Sequence, residues 1–131
     1  NINYEGKAGN GQHTKMCNQI AIAGAISGAC EAVAYAKAVG LDTKTMLDSI
    51  STGAAGSAQM SNVVPRALKG DFNPGFFVKH FIKDMQLADG EAKDADLHLG
   101  MLEYVLGMYE EMEKDGMGDL GTQALLKYYE K

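Results

Sequence analysis

The sequence predicts an all-α fold, a helical bundle built around one long central helix. Three observations favour this class. Alanine, glycine and methionine are plentiful and prolines number only two, a composition that suits helices better than strands. The run from Met16 to Cys30 carries no charged residue and is too long for a strand. No stretch alternates apolar and polar residues with the period of two that a half-buried strand requires.

The central helix is expected from about Gln12 to Val39, and Gly40 is expected to end it as a C-cap. Small residues recur on nearly every side of this helix: Ala21, Ala23, Gly24, Ala25, Gly28, Ala29, Ala32 and Ala36. A helix that is apolar all round is usually buried. The uncharged run of 15 residues falls short of the roughly 20 that a membrane span needs, so a buried helix in the middle of the bundle is predicted.

Five shorter helices are expected after it, at about Thr43–Ser51, Ser57–Leu68, Phe76–Asp94, Leu97–Lys114 and Leu120–Glu130. Asp42 suits the N-cap of the first of these. Pro65 should either kink the second or start its later part. Pro74 and Gly75 suit the central positions of a type II turn. The stretch 53–57 is a loop, which either connects two helices or contacts a ligand.

Length, composition and charge limit the classes of function that this chain can have. A chain of 131 residues, 46% hydrophobic and 22% charged, is predicted to form one globular domain over residues 1–131. The net charge of −5 argues against bulk nucleic-acid binding, which needs a basic stripe. The first five residues lack the basic-then-apolar order of a signal peptide.

The two cysteines indicate a reducing compartment. Cys17 and Cys30 lie 13 residues apart, about 20 Å along one helix, whereas a disulfide needs Cα atoms within about 7 Å. Free thiols are therefore expected, and with them a cytoplasmic setting. His13 and Cys17 are one turn apart and could hold a soft metal, but no second pair completes a site, so no metal is expected.

The richest candidate site is the segment 6–19, GKAGNGQHTKMCNQ. Its three glycines, the last of them Gly11, allow close approach of a ligand because glycine lacks a Cβ. Lys15, Asn18 and Gln19 then fall at i, i+3 and i+4 on one helix face. A cation beside two amides near a helix N-terminus suits a polar, anionic ligand. The alternative is a solvated lysine followed by helix-favouring polar residues.

This segment is not a nucleotide-binding loop. The glycine order is G-x-x-G-x-G, whereas the dinucleotide fingerprint reads G-x-G-x-x-G after a strand. Gly11 is followed by Gln and His, which excludes a Walker loop. A nucleotide fold is therefore not predicted within this chain.

The pattern Gly6-x-x-Gly9-x-Gly11-x-x-x-Lys15-x-x-Asn18-Gln19 resembles the signature that opens the C-terminal domain of the β-hydroxyacid dehydrogenases. That family includes 3-hydroxyisobutyrate dehydrogenase and 2-hydroxy-3-oxopropionate (tartronate semialdehyde) reductase. Other segments resemble family landmarks in the same order: 53–57, 72–76, 82–84, 115–118 and 128–130. The run 14–19 and the Tyr-Tyr-Glu ending lean slightly toward the reductase branch.

The resemblance implies a fold like the C-terminal domain of 6-phosphogluconate dehydrogenase. It also implies a dinucleotide-binding domain that precedes Asn1 and is absent from this chain. The implied reaction is reversible hydride transfer between NAD or NADP and a short β-hydroxyacid or its semialdehyde. The helical domain of the family also builds a homo-oligomer, a dimer or tetramer, and the isolated domain is expected to fold but to be inactive.

The resemblance also assigns roles to residues. Lys15 is the expected proton-transfer residue, with its pKa lowered by the helix N-terminus and a second lysine. Asn18 and Gln19 are expected to bind the substrate beside Gly11, and which of the two amides matters more stays open, because some relatives carry the functional Asn at the position of Gln19.

Two further residues are expected at the cofactor. The resemblance places Lys83, of the pair Lys83-Asp84, against the cofactor in the cleft between the domains, and Phe76 would border the same cleft. The alternatives are an exposed ion for Lys83 and a core position for Phe76.

Two other function classes stay open. One is a non-catalytic helical dimerisation or interaction domain whose glycine loop is only a cap. The other is a helical small-molecule sensor without catalysis. Replacement of Lys15 would separate either from an enzyme.

Overall fold

The computed structural model describes residues 9–130. Its helices are α1 Asn10–Ala38, α2 Thr43–Ile50, α3 Val64–Leu68, α4 Val78–Asp94, α5 Gly100–Lys114 and α6 Leu125–Tyr128. A π-helical turn, Gln59–Val63, leads directly into α3, and a 3₁₀ turn, Thr122–Ala124, leads into α6. Within these residues the one β-type contact is an antiparallel bridge between Phe77 and Gly121. The predicted all-α class is confirmed.

The core lies between α1 and the layer formed by α4, α5 and α6. Its fully buried side chains come from each of these helices: Ile26, Val33, Phe81, Met85, Tyr109, Met112, Leu125 and Leu126. The rings of Phe81 and Tyr109 meet edge to face with centroids 5.2 Å apart. The Tyr109 hydroxyl donates to the carbonyl of Thr122 at 2.8 Å, so the one polar atom of this buried ring is satisfied.

The prediction that α1 is buried on every side is wrong. One face packs into the core, whereas Ala21, Gly24 and Gly28 on the opposite face are exposed. The other helices cover only one side of α1.

Length and composition alone would let α1 cross a membrane, but 44% of its apolar 18-residue window is buried in this fold.

Helix ends follow the local chemistry closely. Asp42 caps α2 as predicted, because its carboxylate accepts the N–H of Thr45 at 2.9 Å. Gly40 follows α1 with a φ of 81°, the left-handed conformation that glycine adopts cheaply. Pro65 lies in the first turn of α3, where its missing N–H costs nothing. Of the two predicted roles for this proline, the start of the later helical part is confirmed.

The predicted type II turn at Pro74 and Gly75 is wrong. Such a turn needs a positive φ at its third residue, and the positive-φ glycines of residues 9–130 are Gly9, Gly40, Gly70 and Gly116. The chain instead runs without a regular turn toward the bridge at Phe77. That bridge also delays the start of α4 to Val78, two residues after the predicted start.

Candidate active site

Lys15 lies in the second turn of α1, where that helix passes α4. Its side chain borders a small cavity of about 40 Å³, which we call the Lys15 cavity, lined by Gln12, Lys15, Met16, Gln19, Asp84 and Leu87. The cavity therefore combines one cation, two amides and one carboxylate. The structure brings Lys15 and Gln19 together, as predicted from their spacing.

Gln19 is held in a single orientation. Its side-chain amide donates to Oδ2 of Asp84 at 2.9 Å, and its Oε1 accepts from Nδ2 of Asn18 at 3.3 Å. Gln19 is buried at 8% exposure, whereas Asn18 is exposed. The two amides therefore differ in role: Gln19 lines the cavity, and Asn18 contacts its oxygen from the solvent side.

Asp84 was not among the predicted site residues. The prediction singled out the lysine of the pair Lys83-Asp84, but successive residues of a helix point about 100° apart, so only one of them can face α1. Asp84 takes that position beside the buried Phe81 and Met85. Its place next to the apolar stripe of α4 was the sequence signal that could have identified it.

Lys83 lies elsewhere on α4. It borders a separate cavity of about 360 Å³ together with Lys79, His80, Ile82, Gln86 and Glu113. Lys79 pairs with Asp119 at 2.6 Å. The structure does not bring Lys83 to the Lys15 cavity, so the second lysine expected beside Lys15 is replaced there by a carboxylate, Asp84.

A larger cavity adjoins the Lys15 cavity. This Arg66 cavity has a volume of about 350 Å³ and is lined by Gln19, Ile22, Gln59, Val63, Arg66, Gly75, Phe76, Thr122 and Gln123. Gln19 borders both cavities. Phe76 is 39% exposed, and its ring meets that of Phe81 with centroids 5.9 Å apart, so it forms a wall between solvent and core.

Two polar side chains that line the Arg66 cavity are fixed by hydrogen bonds to the segment 71–73. Arg66 pairs through Nε with Oδ2 of Asp71 at 3.2 Å and donates through Nη2 to the carbonyl of Asn73 at 2.7 Å. Gln123, only 1% exposed, donates to the carbonyls of Asp71 and Asn73 at 3.0 and 2.9 Å. The N–H of Asn73 and the guanidinium of Arg66 hold the pKa of Asp71 below its ordinary value, which keeps this ion pair charged.

The glycines of the segment 6–19 have unequal roles. Gly9 precedes α1 with a φ of 91°, a conformation that favours glycine. Gly11 lies inside the first turn of α1 and is exposed, and an added Cβ would meet no atom within 4 Å. The helix thus begins before Gly11, not after it as predicted. Gly6 lies outside the described residues.

The cysteines are free, as predicted. Cys17 is exposed and Cys30 is buried, and burial raises the pKa of the Cys30 thiol to about 12. Over residues 9–130, no three His, Cys, Asp or Glu side chains gather as they would around a metal ion.

A comparison with protein-family models identifies the family of this chain. The family model described as "NAD-binding of NADP-dependent 3-hydroxyisobutyrate dehydrogenase" matches residues 9–129. The chain belongs to the 3-hydroxyisobutyrate dehydrogenase family. The resemblance read from the sequence is confirmed at the level of this family, and the tartronate semialdehyde reductase branch is not singled out.

Individual relatives of this chain are consistent with this assignment. An uncharacterized oxidoreductase of Bacillus subtilis, YkwC, is 50% identical over all of this chain and 46% of its own length. The probable mitochondrial 3-hydroxyisobutyrate dehydrogenase-like 1 of Arabidopsis thaliana is 44% identical over 99% of this chain and 39% of its own length. The chain thus spans less than half the length of these relatives.

A solved structure shares the fold. The crystal structure of 3-hydroxyisobutyrate dehydrogenase (ygbJ) from Salmonella typhimurium superposes with a TM-score of 0.84 at 29% identity, covering 91% of this chain and 42% of that one. The helical architecture of this chain is therefore shared with less than half of that solved dehydrogenase chain.

Proposed function

We propose that this chain is the C-terminal helical domain of an oxidoreductase that transfers hydride between NAD or NADP and a short β-hydroxyacid or its semialdehyde. The observation that carries the proposal is the meeting of Lys15, Gln19 and Asp84 at one cavity between α1 and α4. The family and its oxidoreductase relatives support the reaction class.

In this proposal Lys15 performs the proton transfer. Oxidation of the substrate removes a hydride from carbon and a proton from the hydroxyl, and the neutral amine of Lys15 takes that proton. In the reverse direction its ammonium returns the proton to the carbonyl oxygen. The buried amide of Gln19, fixed by Asp84, and the exposed amide of Asn18 orient the substrate, and Gly11 leaves room at the mouth of the site.

The cofactor accepts or supplies the hydride when it is bound. Two exposed groups could contact such a cofactor: Phe76, just before α4, offers a partly exposed ring, and Lys83, on α4, an exposed cation at a separate cavity. We propose that both face the cofactor. The choice between NAD and NADP belongs to the dinucleotide-binding domain that precedes this chain in the proposed whole protein.

The whole protein is proposed to act as a homo-oligomer, a dimer or tetramer, in the cytoplasm, without a nucleic-acid or membrane partner. The free thiols and the net charge of −5 support this setting. The isolated chain is proposed to be inactive, because the dinucleotide-binding half of the cleft is supplied by another part of the protein.

A non-catalytic dimerisation domain is the second candidate function. The exposed small-residue face of α1 favours it, because small residues let helices approach closely. The two functions are compatible in one protein, so the decisive question is whether Lys15 is needed for turnover.

The test is turnover of the full-length protein with NADH and NADPH against tartronate semialdehyde and the semialdehydes of 3-hydroxyisobutyrate and 4-hydroxybutyrate. Lys15→Ala should lower kcat by about 10²–10⁴-fold, the usual contribution of an acid–base group, with the fold retained. Lys114→Ala, at an exposed lysine in the last turn of α5, is the matched control. Turnover of Lys15→Ala within about threefold of the wild type would exclude this mechanism.

A further inference from the structure

We propose that the Arg66 cavity binds a carboxylate at the far end of the substrate, so that the preferred β-hydroxyacid is a dicarboxylic one. The inference rests on the proposed function and names its substrate class more closely. It follows from the side chain of Arg66, its fixed orientation and the position of its cavity beside the Lys15 cavity.

Size and position indicate that this cavity receives part of the substrate. About 350 Å³ lies within the range of small-molecule sites, roughly 300–1,000 Å³, whereas the Lys15 cavity holds only about 40 Å³. Gln19 separates the two. Along α1, Lys15 borders the first cavity and Ile22 the second, a helical rise of about 10 Å. A chain of several methylenes beyond the reacting carbon would extend past Gln19 into the larger cavity.

Arg66 is oriented for a carboxylate before any ligand arrives. The hydrogen bonds that it makes within residues 9–130 use Nε and Nη2, which leaves Nη1 available. Nη1 lies beside Gly75, 3.4 Å from where a Cβ at that position would stand. A guanidinium whose rotamer is already fixed loses little entropy on binding an anion.

The surroundings of Arg66 are held rigid from a second direction. Gln123 is almost fully buried and donates to the carbonyl of Asn73 that Arg66 also contacts. The segment between Asp71 and Asn73 is therefore pinned by both side chains. The π-helical turn that leads directly into α3 carries Gln59 and Val63 into the same lining; such turns occur frequently at functional sites.

The walls favour a carbon chain over a bare ion. Ile22 and Val63 give the cavity apolar sides, with the cation and the amides placed at separate points of the lining. Methylenes can pack on the apolar sides while the terminal carboxylate reaches Nη1. A substrate that ends in a methyl group would leave the guanidinium without its ligand.

The experiment compares two series of substrates on the full-length protein. Each is a 3-hydroxypropionate carrying at C2 a chain of two to four methylenes, which ends in either a carboxylate or a methyl group. The wild type should prefer the carboxylate series by about 10- to 100-fold in kcat/KM, the effect of one charged hydrogen bond. Arg66→Gln should lose at least tenfold of that preference, mainly through a higher KM for the carboxylate series.

Asp71→Asn is the matched control. It removes the ion pair that steadies Arg66 but keeps the guanidinium, so the preference for the carboxylate series should persist. An unchanged preference in Arg66→Gln, or a wild type that favours the methyl series, would overturn the inference and leave the dehydrogenase function standing. No turnover of any β-hydroxyacid, short or long, would overturn the proposed function and the inference with it.

Discussion

Among single residues, the contact between Gln19 and Asp84 has the clearest chemical consequence. The carboxylate accepts the side-chain amide at 2.9 Å, and Gln19 is buried. Removal of the acceptor would leave a buried donor unpaired, which costs about 1–3 kcal/mol. It would also free the amide to rotate away from the position in which it faces Lys15.

We therefore expect Asp84→Ala to lower both the free energy of unfolding and kcat/KM for the proposed substrate, by about 1–3 kcal/mol and at least tenfold. Asp84→Asn keeps one acceptor oxygen and should fall between Asp84→Ala and the wild type. Urea unfolding and steady-state kinetics on the full-length protein measure the two effects. Equal activity in Asp84→Ala and the wild type would show that the amide needs no positioning.

The sequence predicts that Lys15 and Gln19 lie close together, but it does not predict that Asp84 lies beside them. Helical spacing places Lys15, Asn18 and Gln19 near one another whatever surrounds the helix. Which amide becomes buried depends on where α4 packs against α1. The residue periodicity of α1 alone carries no information about that packing. The same fact decides that Asp84, not Lys83, faces the Lys15 cavity.

At the scale of helices and loops, the loop from α2 to the π-helical turn is sterically constrained at one of its two glycines. Gly56 donates to the carbonyl of Gly53 at 3.0 Å, and the Ser57 hydroxyl accepts the N–H of Met60 at 3.0 Å. A Cβ at Gly56 would stand 2.2 Å from the carbonyl oxygen of Ser51, whereas a Cβ at Gly53 would meet its nearest atom, the oxygen of Ile50, at 3.8 Å. The backbone therefore leaves too little space for a side chain at Gly56, whereas it leaves enough space at Gly53.

Gly56→Ala should lower the free energy of unfolding by about 1–3 kcal/mol, because backbone must shift to admit the methyl group. Gly53→Ala should leave stability unchanged or raise it slightly, since alanine restricts the unfolded chain. Chemical unfolding of both variants beside the wild type gives the comparison. Equal losses in the two variants would contradict a role for the contact with Ser51.

The sequence predicts where helices form, but it does not predict which faces of a helix the other helices cover. The apolar stripe of α4, with Phe81, Met85 and Ala88 one turn apart, is buried as its spacing predicts. The small residues of α1 predicted burial on all sides, yet Gly24 and Gly28 are exposed. Small apolar residues suit a core and a helix–helix interface equally well, and sequence hydrophobicity does not distinguish the two.

Over the whole molecule, apolar side chains remain exposed around this face of α1. Met101 and Tyr104 of α5 are 71% and 67% exposed. Met101 borders a cavity of about 250 Å³ that Gly24 also lines, and Gly24 and Gly28 line a further groove of about 440 Å³ beside the loop that contains Gly56. Large side chains next to grooves over small residues match the self-complementary surface of a homo-oligomer.

This surface makes the proposed oligomer testable. Met101→Glu and Tyr104→Glu should each shift the full-length protein to a smaller species in sedimentation velocity, because an interface with two-fold symmetry would bury the introduced charge twice. The fold should persist, since both side chains are exposed in the single chain. Leu41→Glu makes the same chemical change at a 54% exposed leucine between α1 and α2 and should leave the oligomer intact. A monomeric wild type would contradict the proposed homo-oligomer. An oligomer that survives both substitutions on α5 would instead place its contact on another surface.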